Sequence, residues 1–557
     1  MIQSVKIENW RCIESLEIPL SPLTALVGPN GSGKSAVLRA IDVVLGSRWP
    51  GMANLDLPRD FYNLDTSLPM SIRCGFDTPL AFVDMARTSH EVGFLQYECK
   101  PYKKRMPRAD AGDLHDDLTP LSVDGKQLMV ATSRPQAGKK LEFGPLIRVG
   151  TELRDQARVL MISDRRSIAA QASGRRGSVL NSLLANVRKD FVKDSSGTKT
   201  DFLTKYEDAL SVLRTTTVQE IEEIIGETAK QMLGFLGRGN LSKLDITFGF
   251  GDPANPFGSL TMMCKEGDMI LPAEVMGLGI QSAIVVGIFE ALRQQQSNIG
   301  TVLIEEPEMY LHPQAQRYFH QLLVDMVDAD QSQVIYTTHS PIFADMSRFG
   351  GIRVFEKPPG ASSQVKWISD VDDLNYLKTQ VERQKLSQYM DPASSEALFA
   401  RRVLLVEGHG DFLAVKTVAR KLGIDLDAEG LSVVPCGGKN CIPFFARMCN
   451  SLDIPVLVMH DVDVYEASGD IALTAKQVAE NGAAERENQE VGAALGNPAL
   501  LFQISPSLET ALGIGKSAPD KPRKVADALE SLDVTDMPIQ LVAAVKALAK
   551  DDEPGEG

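Results

Sequence analysis

Two groups of residues in this chain have the types and the spacing that phosphate chemistry requires. The first group begins with the glycine-rich loop Gly28–Ser35, which reads G-x-x-x-x-G-K-S after an apolar run and before a run with helical spacing. Backbone N–H groups of such a loop, together with the helix N-terminus, surround phosphate oxygens. Lys34 is predicted to reach the β- and γ-phosphates of a nucleotide, and Ser35 to ligate Mg²⁺. The predicted nucleotide contacts in this loop are Asn30, Gly31, Gly33, Lys34 and Ser35.

An acidic pair after the apolar run Val302–Ile304 is the expected partner of this loop. Glu305 is predicted to bind Mg²⁺ and so to contact the nucleotide, and Glu306 is predicted to polarise the water that attacks ATP. His339 follows the next predicted strand and is expected to contact the γ-phosphate or the attacking water. Together with the glycine-rich loop, these residues predict ATP hydrolysis.

Two glycines at the start of an apolar helix form a second phosphate-facing element. Gly277 and Gly279 lie in the segment MGLGIQS, ahead of the helical run Ala283–Leu292. A helix N-terminus attracts phosphate through its exposed N–H groups and its dipole. We therefore predict both glycines as nucleotide-binding residues. The spacing leaves open whether they face the nucleotide of their own subunit or that of another copy.

The second group consists of acidic residues at the ends of two further apolar runs. Glu407 ends the run Arg402–Val406, and Asp461 and Asp463 end the run Val456–Met459. Residues two apart on an extended segment point to the same side, so the two aspartates are expected to converge on one metal with Glu407. Their oxygens suit Mg²⁺ or Mn²⁺, with Ca²⁺ as a further hard cation, rather than zinc. Such a cation supports phosphodiester cleavage, so the three acids are predicted as both catalytic residues and metal ligands.

The elements that must position these residues indicate an α/β protein. A hairpin is expected at the N-terminus, short strands across residues 50–160 and a helical segment across residues 178–237. A helix over residues 313–327 separates the strand that precedes Glu305 from the strand that precedes His339. From residue 403 onward, strands and helices alternate, which is typical of a small parallel α/β sheet.

Composition limits the classes of function. The net charge of −15 opposes DNA association overall, so a DNA-binding surface must be a local basic patch such as Lys100–Arg108. Seven scattered cysteines indicate a reducing compartment rather than a disulfide framework. No apolar run approaches the roughly 20 residues that span a bilayer, and the N-terminus does not read as a signal peptide. We therefore expect a cytoplasmic protein without a membrane partner.

The motifs resemble those of two known families. Residues 1–345 resemble the ABC-type ATPases of the RecF, SMC and Rad50 group, in the opening KIENWRCI and in the blocks GPNGSGKS, EEPEMYLHP and TTHS. Residues 400–557 resemble a Toprim domain, and the combination is similar to the OLD (overcoming lysogenization defect) nuclease family. Two features depart from the ATPase group: the signature reads MGLGIQ, and the first Walker B acid is Glu305 rather than aspartate.

The resemblance implies the fold class and the domain organisation. The fold would be α/β, with an ABC-type (RecF/SMC-like) ATPase head, a helical dimerisation insertion and a Toprim α/β domain. The implied segments are the N-terminal part of the ATPase, the insertion, the C-terminal part of the ATPase, a connector and the Toprim nuclease domain, at residues 1–165, 166–240, 241–375, 376–399 and 400–557.

Further site residues are implied by the resemblance alone. Asp411 matches a second acid of the nuclease members, and Glu509 resembles a late acidic ligand, so both are expected to bind metal. The family also carries a catalytic lysine beyond this acid. Lys521 is our choice for it, with Lys516 and Lys524 as alternatives, and its expected role is to stabilise the phosphate in the transition state.

The predicted function is that of an ATP-binding and ATP-hydrolysing, divalent-metal-dependent DNA endonuclease, which nicks or cuts DNA in antiphage defence or DNA processing. The resemblance implies a homodimer, with a tetramer and a companion protein left open. The alternative is a non-cleaving, DNA-binding ATPase scaffold for recombination or repair. A primase or topoisomerase is disfavoured, because the sequence has no evident tyrosine nucleophile motif or zinc ribbon.

Overall fold

The computed structural model forms two compact units, Met1–Phe343 with Phe355–Val365, and Ala344–Val354 with Lys366–Gly557. It describes residues 1–46, 48, 50–51, 55–101, 114–135, 140–146, 150–163, 183, 216–234, 244–249, 261–266, 269–295, 300–329, 331–384, 392–464, 473–515 and 520–550. Within these ranges no helix has the length and apolar character needed to cross a bilayer. All seven cysteines lie in them as free thiols, as predicted from their scattered positions.

A five-stranded antiparallel sheet opens the first unit. In order of neighbouring strands it consists of Ile13–Pro19, Ile2–Trp10, Met70–Val83, Ser89–Pro101 and Leu114–Leu121. The predicted N-terminal hairpin is confirmed by the antiparallel pairing of the first two strands. The expectation of short strands across residues 50–160 is wrong for this sheet, because two of its strands are 14 and 13 residues long. A shift of pairing register between Gly75 and Leu80 interrupts the alternation along the longer strand.

A six-stranded sheet carries the predicted nucleotide motifs. Its order is Gln364–Lys366, Ile352–Glu356, Leu23–Val27, Gln333–Thr338, Thr301–Glu305 and Val159–Ile162. The last four strands pair in parallel. Every residue of the strands before the phosphate loop, the acidic pair and His339 is buried. Because the carboxyl ends of parallel strands lie along one edge of a sheet, the three motifs meet at that edge.

Helices and smaller sheets complete the described part of the first unit. The helices are Lys34–Leu45, Thr151–Asp155, Thr216–Gly234, Leu278–Gln295 and Pro313–Asp328. A two-stranded sheet pairs Met129–Ala131 with Phe143–Pro145, and a three-stranded sheet contains Leu244–Gly249, Thr261–Glu266 and Met269–Pro272.

The helix Thr216–Gly234 is the longest described part of the predicted insertion, residues 166–240. Apart from this helix and Leu183, the predicted insertion lies outside the described residues. The helix packs closely against Leu278–Gln295, where a Cβ added at Gly287 would stand 2.8 Å from the carbonyl oxygen of Ile225. Glycine at this position therefore lets the two helix backbones touch.

The second unit is built on a four-stranded parallel sheet, as the alternation from residue 403 onward predicts. Its order is Leu431–Pro435, Arg402–Val406, Val456–Asp461 and Leu501–Ile504, and all three pairings are parallel. The described α-helices of this unit are Val371–Gln384, Pro392–Ser395, His409–Leu422, Ile442–Ser451, Ala475–Leu495, Leu508–Ala511, Lys521–Ser531 and Ile539–Ala549. Apolar side chains of the sheet and of four of these helices form one buried core. This core fixes the strand ends that carry the acidic residues.

Candidate functional site

The phosphate loop depends on glycines in left-handed backbone conformations. The φ angle is +76° at Gly31 and +105° at Gly33, in the region that favours glycine. A Cβ added at Gly33 would stand 2.6 Å from Ser363 Oγ. Both backbone conformation and space therefore require glycine at position 33.

The side chain of Lys34 folds back over this loop. Its Nζ donates hydrogen bonds to the carbonyl oxygens of Gly28 and Pro29, each at 2.8 Å. Burial lowers the pKa of Lys34 to about 8, although the charges of Glu306 and Glu308 oppose this shift. Phosphate oxygens would give this lysine charge-assisted partners, which are stronger than carbonyl groups. The adjacent predicted metal ligand, Ser35, is exposed at the first turn of the helix.

Glu305, the predicted Mg²⁺ ligand, lies buried at the end of its strand. Its Oε2 is 3.3 Å from Nη2 of Arg39, which belongs to the helix that begins at Lys34. Arg39 is one helical turn beyond Ser35. The Glu305 carboxylate therefore lies beside the guanidinium group of Arg39, close to Ser35, the other predicted Mg²⁺ ligand.

Glu306 and His339 face each other from neighbouring strand ends. Glu306 Oε1 lies 3.8 Å from His339 Nε2. The backbone of Glu306 has a φ of +46°, and its N–H donates to the carbonyl oxygen and to Oγ1 of Thr337. Burial and then the positive charge of Lys34 lower the pKa of His339, so the neutral imidazole is favoured. The predicted water-polarising acid and the predicted histidine therefore share one edge with Lys34.

Glu308, which we did not predict as a site residue, anchors the loop that carries His339. Its Oε1 accepts hydrogen bonds from Thr338 Oγ1 at 3.0 Å and from the N–H groups of His339 and Ser340 at 2.6 and 3.2 Å. Burial raises the pKa of this carboxyl, and the hydrogen bonds act in the opposite direction. The only sequence signal for this role was the position of Glu308 in the block EEPEMYLHP. That signal is weak, because an acidic residue in a loop is usually solvated.

The glycine turn before the helix Leu278–Gln295 is open on its outer side. Gly277 is exposed, and a Cβ there would meet no atom within 4 Å. The side chain of Gln281 donates to the carbonyl oxygens of Glu274 and Met276, which ties the turn to the preceding segment. Crowding within the described chain therefore does not explain the glycine at 277. Nucleotide contact by Gly277 and Gly279 stays a prediction.

Three predicted acids of the second unit lie partly buried, and the pKa of each is raised above its ordinary value. Burial raises the pKa of Glu407 to about 7, that of Asp411 to about 6 and that of Asp461 to about 8. The charges of Asp411 and Glu407 raise the pKa of Asp461 further. Two backbone donors act in the opposite direction, because Asp461 N–H donates to Glu407 Oε1 and Leu508 N–H donates to Asp461 Oδ1, both at 2.9 Å. The three carboxyls therefore lie where negative charge is costly.

Asp463 is positioned differently from our expectation. The strand ends at Asp461, and the φ of Asp463 is +55°, so the segment is not extended at this residue. The inference that the two aspartates point the same way along a strand is therefore wrong. Asp463 instead forms an ion pair with Lys439, whose Nζ lies 2.8 Å from Asp463 Oδ2 and 3.8 Å from Glu407 Oε1.

A cleft of about 460 Å³ connects most of these groups. Its lining includes the predicted residues Glu407, Asp411, Asp461, Glu509 and Lys521. Lys521 begins its helix, and its Nζ lies 3.9 Å from Glu509 Oε1. Lys516, one of the two alternatives to Lys521, lies outside the described residues.

The donor set of this cleft fits a hard divalent cation by its chemistry. It presents carboxylate oxygens from separate strand ends and helices, which Mg²⁺, Mn²⁺ and Ca²⁺ prefer. As placed, no three His, Cys, Asp or Glu side chains in the described parts of the chain converge closely enough to enclose one ion. Side-chain rotation would therefore have to complete the coordination.

Comparison with known families gives the same order of domains. A family model described as AAA ATPase domain matches residues 1–212 and 150–344. A second model, described as overcoming lysogenization defect protein-like, TOPRIM domain, matches residues 398–463. The predicted α/β fold, with an ATPase domain followed by a Toprim domain, is confirmed by these matches and by the observed sheets.

Relatives match over most or all of the chain. An OLD nuclease of Thermus scotoductus (strain ATCC 700910 / SA-01) is 44% identical over 558 residues, which cover 100% of both chains. An Old nuclease of Escherichia phage P2 is 23% identical over 503 residues, 83% of this chain and 77% of that one. Among solved structures, an SmcHead bound to the C-winged helix domain of ScpA has a TM-score of 0.42 at 15% identity and covers 67% of this chain and 99% of its own. An SMC head domain from Thermotoga maritima has a TM-score of 0.30 at 14% identity, covering 66% and 99%.

Proposed function

Because this chain belongs to the OLD nuclease family, we propose that it hydrolyses ATP and cuts DNA at a divalent-metal-dependent centre in its Toprim domain. The observation that carries the proposal is the cleft beside Lys521, where Glu407, Asp461 and Glu509 gather from distant segments. Acids that merely end strands are solvated and keep ordinary pKa values. Burial and mutual repulsion instead raise the pKa of both Glu407 and Asp461, which supports a functional centre.

In the ATPase domain, each predicted residue has a role that its position supports. Lys34 would exchange its two carbonyl partners for the β- and γ-phosphates, and Ser35 and Glu305 would bind the Mg²⁺ that accompanies ATP. Glu306 would orient and polarise the attacking water, and His339 would contact the γ-phosphate.

The glycines and Asn30 would supply the remaining nucleotide contacts. Asn30, Gly31 and Gly33 would present the phosphate loop to the nucleotide. The open turn at Gly277, together with Gly279 in the first turn of the helix, would face the nucleotide of a second copy, which makes the homodimer part of the proposal.

In the Toprim domain, Glu407, Asp461 and Asp463 would hold the divalent cation. When bound, the cation supplies an activated water and neutralises charge on the scissile phosphate. Asp411 and Glu509 would extend the donor set towards a second cation. Lys521 would stabilise the phosphate in the transition state from the same cleft.

We further propose a cytoplasmic homodimer that acts in antiphage defence or DNA processing. The free state of all seven cysteines supports a reducing compartment. The alternatives to a plain homodimer are a tetramer of this chain and a complex with a companion protein. Light scattering of the purified protein with and without ATP would distinguish the dimer from the tetramer.

The test is nicking and linearisation of supercoiled plasmid by the full chain, with Mn²⁺ and ATP varied independently. Asp461→Asn is expected to reduce cleavage at least about 100-fold and to leave ATP hydrolysis within about twofold of wild type. The matched control is Asp527→Asn, since this exposed aspartate of the same unit pairs only at the surface with Arg523. Cleavage by Asp461→Asn at the wild-type rate would refute the assigned centre. A wild-type chain that binds DNA and hydrolyses ATP without cutting would favour the scaffold.

A further inference from the structure

Lys439 is a buried cation among the acids of the second unit. Its side chain is only 5% exposed, and its Nζ contacts Asp463 at 2.8 Å and approaches Glu407 at 3.8 Å. Lysine is rarely buried to this extent unless it is paired. The carboxylates therefore account for the position of this lysine.

Backbone hydrogen bonds hold the turn before Lys439 against the strand end that carries Glu407. Cys436 N–H donates to the carbonyl oxygen of Val406, and Gly438 N–H donates to that of Glu407, both at 2.8 Å. Gly438 has a φ of +139°, which lies in the region that favours glycine. The turn thus delivers the ammonium group from a fixed position, unlike a mobile surface lysine.

The ion pair occupies a group that metal binding needs. Asp463 is a proposed metal ligand, and its Oδ2 is already engaged by Lys439. A divalent cation that takes this oxygen as a ligand must draw it away from the ammonium group. Two positive charges close together also repel each other, which adds to the cost of binding.

We propose that Lys439 is the resident cation of the nuclease centre, which neutralises Asp463 and Glu407 before metal binds and competes with the divalent cation for Asp463. The inference rests on the proposed function, because it takes the acid cleft as the metal site. Lys439 is a positioning residue in this scheme, and it sets the metal concentration at which the centre fills.

The first test measures Mn²⁺ binding to the full chain by the electron paramagnetic resonance signal of free Mn²⁺, without DNA. Lys439→Met keeps the length of the side chain and removes its charge, and it is expected to bind Mn²⁺ about tenfold more tightly. In an Asp463→Asn background the same change should alter the affinity clearly less than tenfold, because the contested carboxylate has become a neutral amide and only charge repulsion remains. Lys546→Met, at an exposed lysine of the same unit, controls for the loss of one charge.

The second test needs neither metal nor cleavage. The full chain is unfolded in a calorimeter in the presence of EDTA. Lys439→Met is expected to lower the temperature of the transition in which the second unit unfolds by about 5 °C, because Asp463 and Glu407 lose their cation. Lys439→Arg keeps the charge and should restore most of this loss. The Lys546→Met control should leave the transition unchanged within about 1 °C.

The outcomes separate the two proposals. Unchanged or weaker Mn²⁺ binding by Lys439→Met, with normal binding by wild type, overturns the competition and leaves the nuclease proposal standing. Unchanged stability of Lys439→Met in EDTA overturns the resident-cation role. A wild-type chain that binds no Mn²⁺ overturns the proposed metal centre itself, and the competition with it.

Discussion

Binding of a divalent cation to the acid cleft should release protons, and the structure sets their number. At pH 7, a group with a pKa of about 8 is roughly nine-tenths protonated, one with a pKa of about 7 is half protonated, and one with a pKa of about 6 is roughly one-tenth protonated. These are the pKa values of Asp461, Glu407 and Asp411. Carboxylates bind metal in their ionised form. Mn²⁺ should therefore displace roughly 1.5 protons from the cleft at pH 7.

The same reasoning predicts how metal affinity changes with pH. The number of released protons should rise to roughly 2.4 at pH 6 and fall to roughly 0.6 at pH 8. Because each released proton contributes a tenfold change per pH unit, the affinity for Mn²⁺ should rise about 30-fold per unit around pH 7. This steepness should disappear above pH 9, where all three groups are ionised before metal arrives.

Isothermal titration calorimetry measures the proton number directly. Mn²⁺ is titrated into the full chain at pH 6, 7 and 8, in buffers that differ in ionisation enthalpy, and the buffer dependence of the heat gives the protons released. Asp461→Asn removes the most strongly protonated group, so its release at pH 7 should fall to about 0.6 or less. A wild-type release near zero at both pH 7 and pH 8 would refute the reasoning, because the carboxyls would then be ionised at neutral pH.

Four further predictions address the nucleotide site and stability. Lys34→Ala should abolish ATP hydrolysis and weaken the binding of a fluorescent nucleotide about 100-fold or more, because the charge-assisted phosphate contact is lost. Glu308→Ala should lower the kcat of ATP hydrolysis about 10- to 100-fold with little change in KM, whereas Glu308→Gln should lose less activity because it keeps one acceptor oxygen. Phosphate-release kinetics measure kcat and KM for both variants. A change confined to KM would contradict a positioning role for Glu308. Gly33→Ala should cost about 1–3 kcal/mol of unfolding free energy in urea titrations, and Gly31→Ala less. Both positions have a positive φ, but a Cβ at position 33 would also stand 2.6 Å from Ser363 Oγ, whereas one at position 31 would meet no atom within 4 Å. In EDTA, the unfolding temperature should fall as pH rises from about 5 to 8. The reason is that burial raises the folded-state pKa of Asp461, Glu407 and Asp411 above the unfolded-state pKa of about 4. The stability that these protonated groups contribute is fully present below the unfolded-state pKa and is lost as pH rises through the folded-state pKa values.

Local patterns were enough to predict the strands that carry the motifs. Leu23–Val27 and Thr301–Glu305 are buried along their whole length, and a short apolar run followed by a phosphate loop or an acidic pair predicts such a strand. The strand Arg402–Val406 before Glu407 is likewise buried at every residue after Arg402. Once the strands are parallel neighbours, the meeting of their polar ends follows from the geometry of the sheet.

Residues that act through distant partners were beyond these patterns. Lys439 pairs with Asp463 across 24 positions of sequence, and Glu308 binds the N–H of Ser340 across 32. Each contact depends on how a turn folds back over a strand end, which residue type and spacing do not encode. The left-handed backbone of Asp463 was missed for a similar reason, since the DxD spacing was read as an extended strand.

The absence of a side chain at Gly287 lets the backbones of two helices pack in direct contact. Because Ile225 touches it directly, the helix Thr216–Gly234 has little freedom to slide over Leu278–Gln295. A methyl group at position 287 would stand 2.8 Å from the carbonyl oxygen of Ile225 and would force the two helices apart.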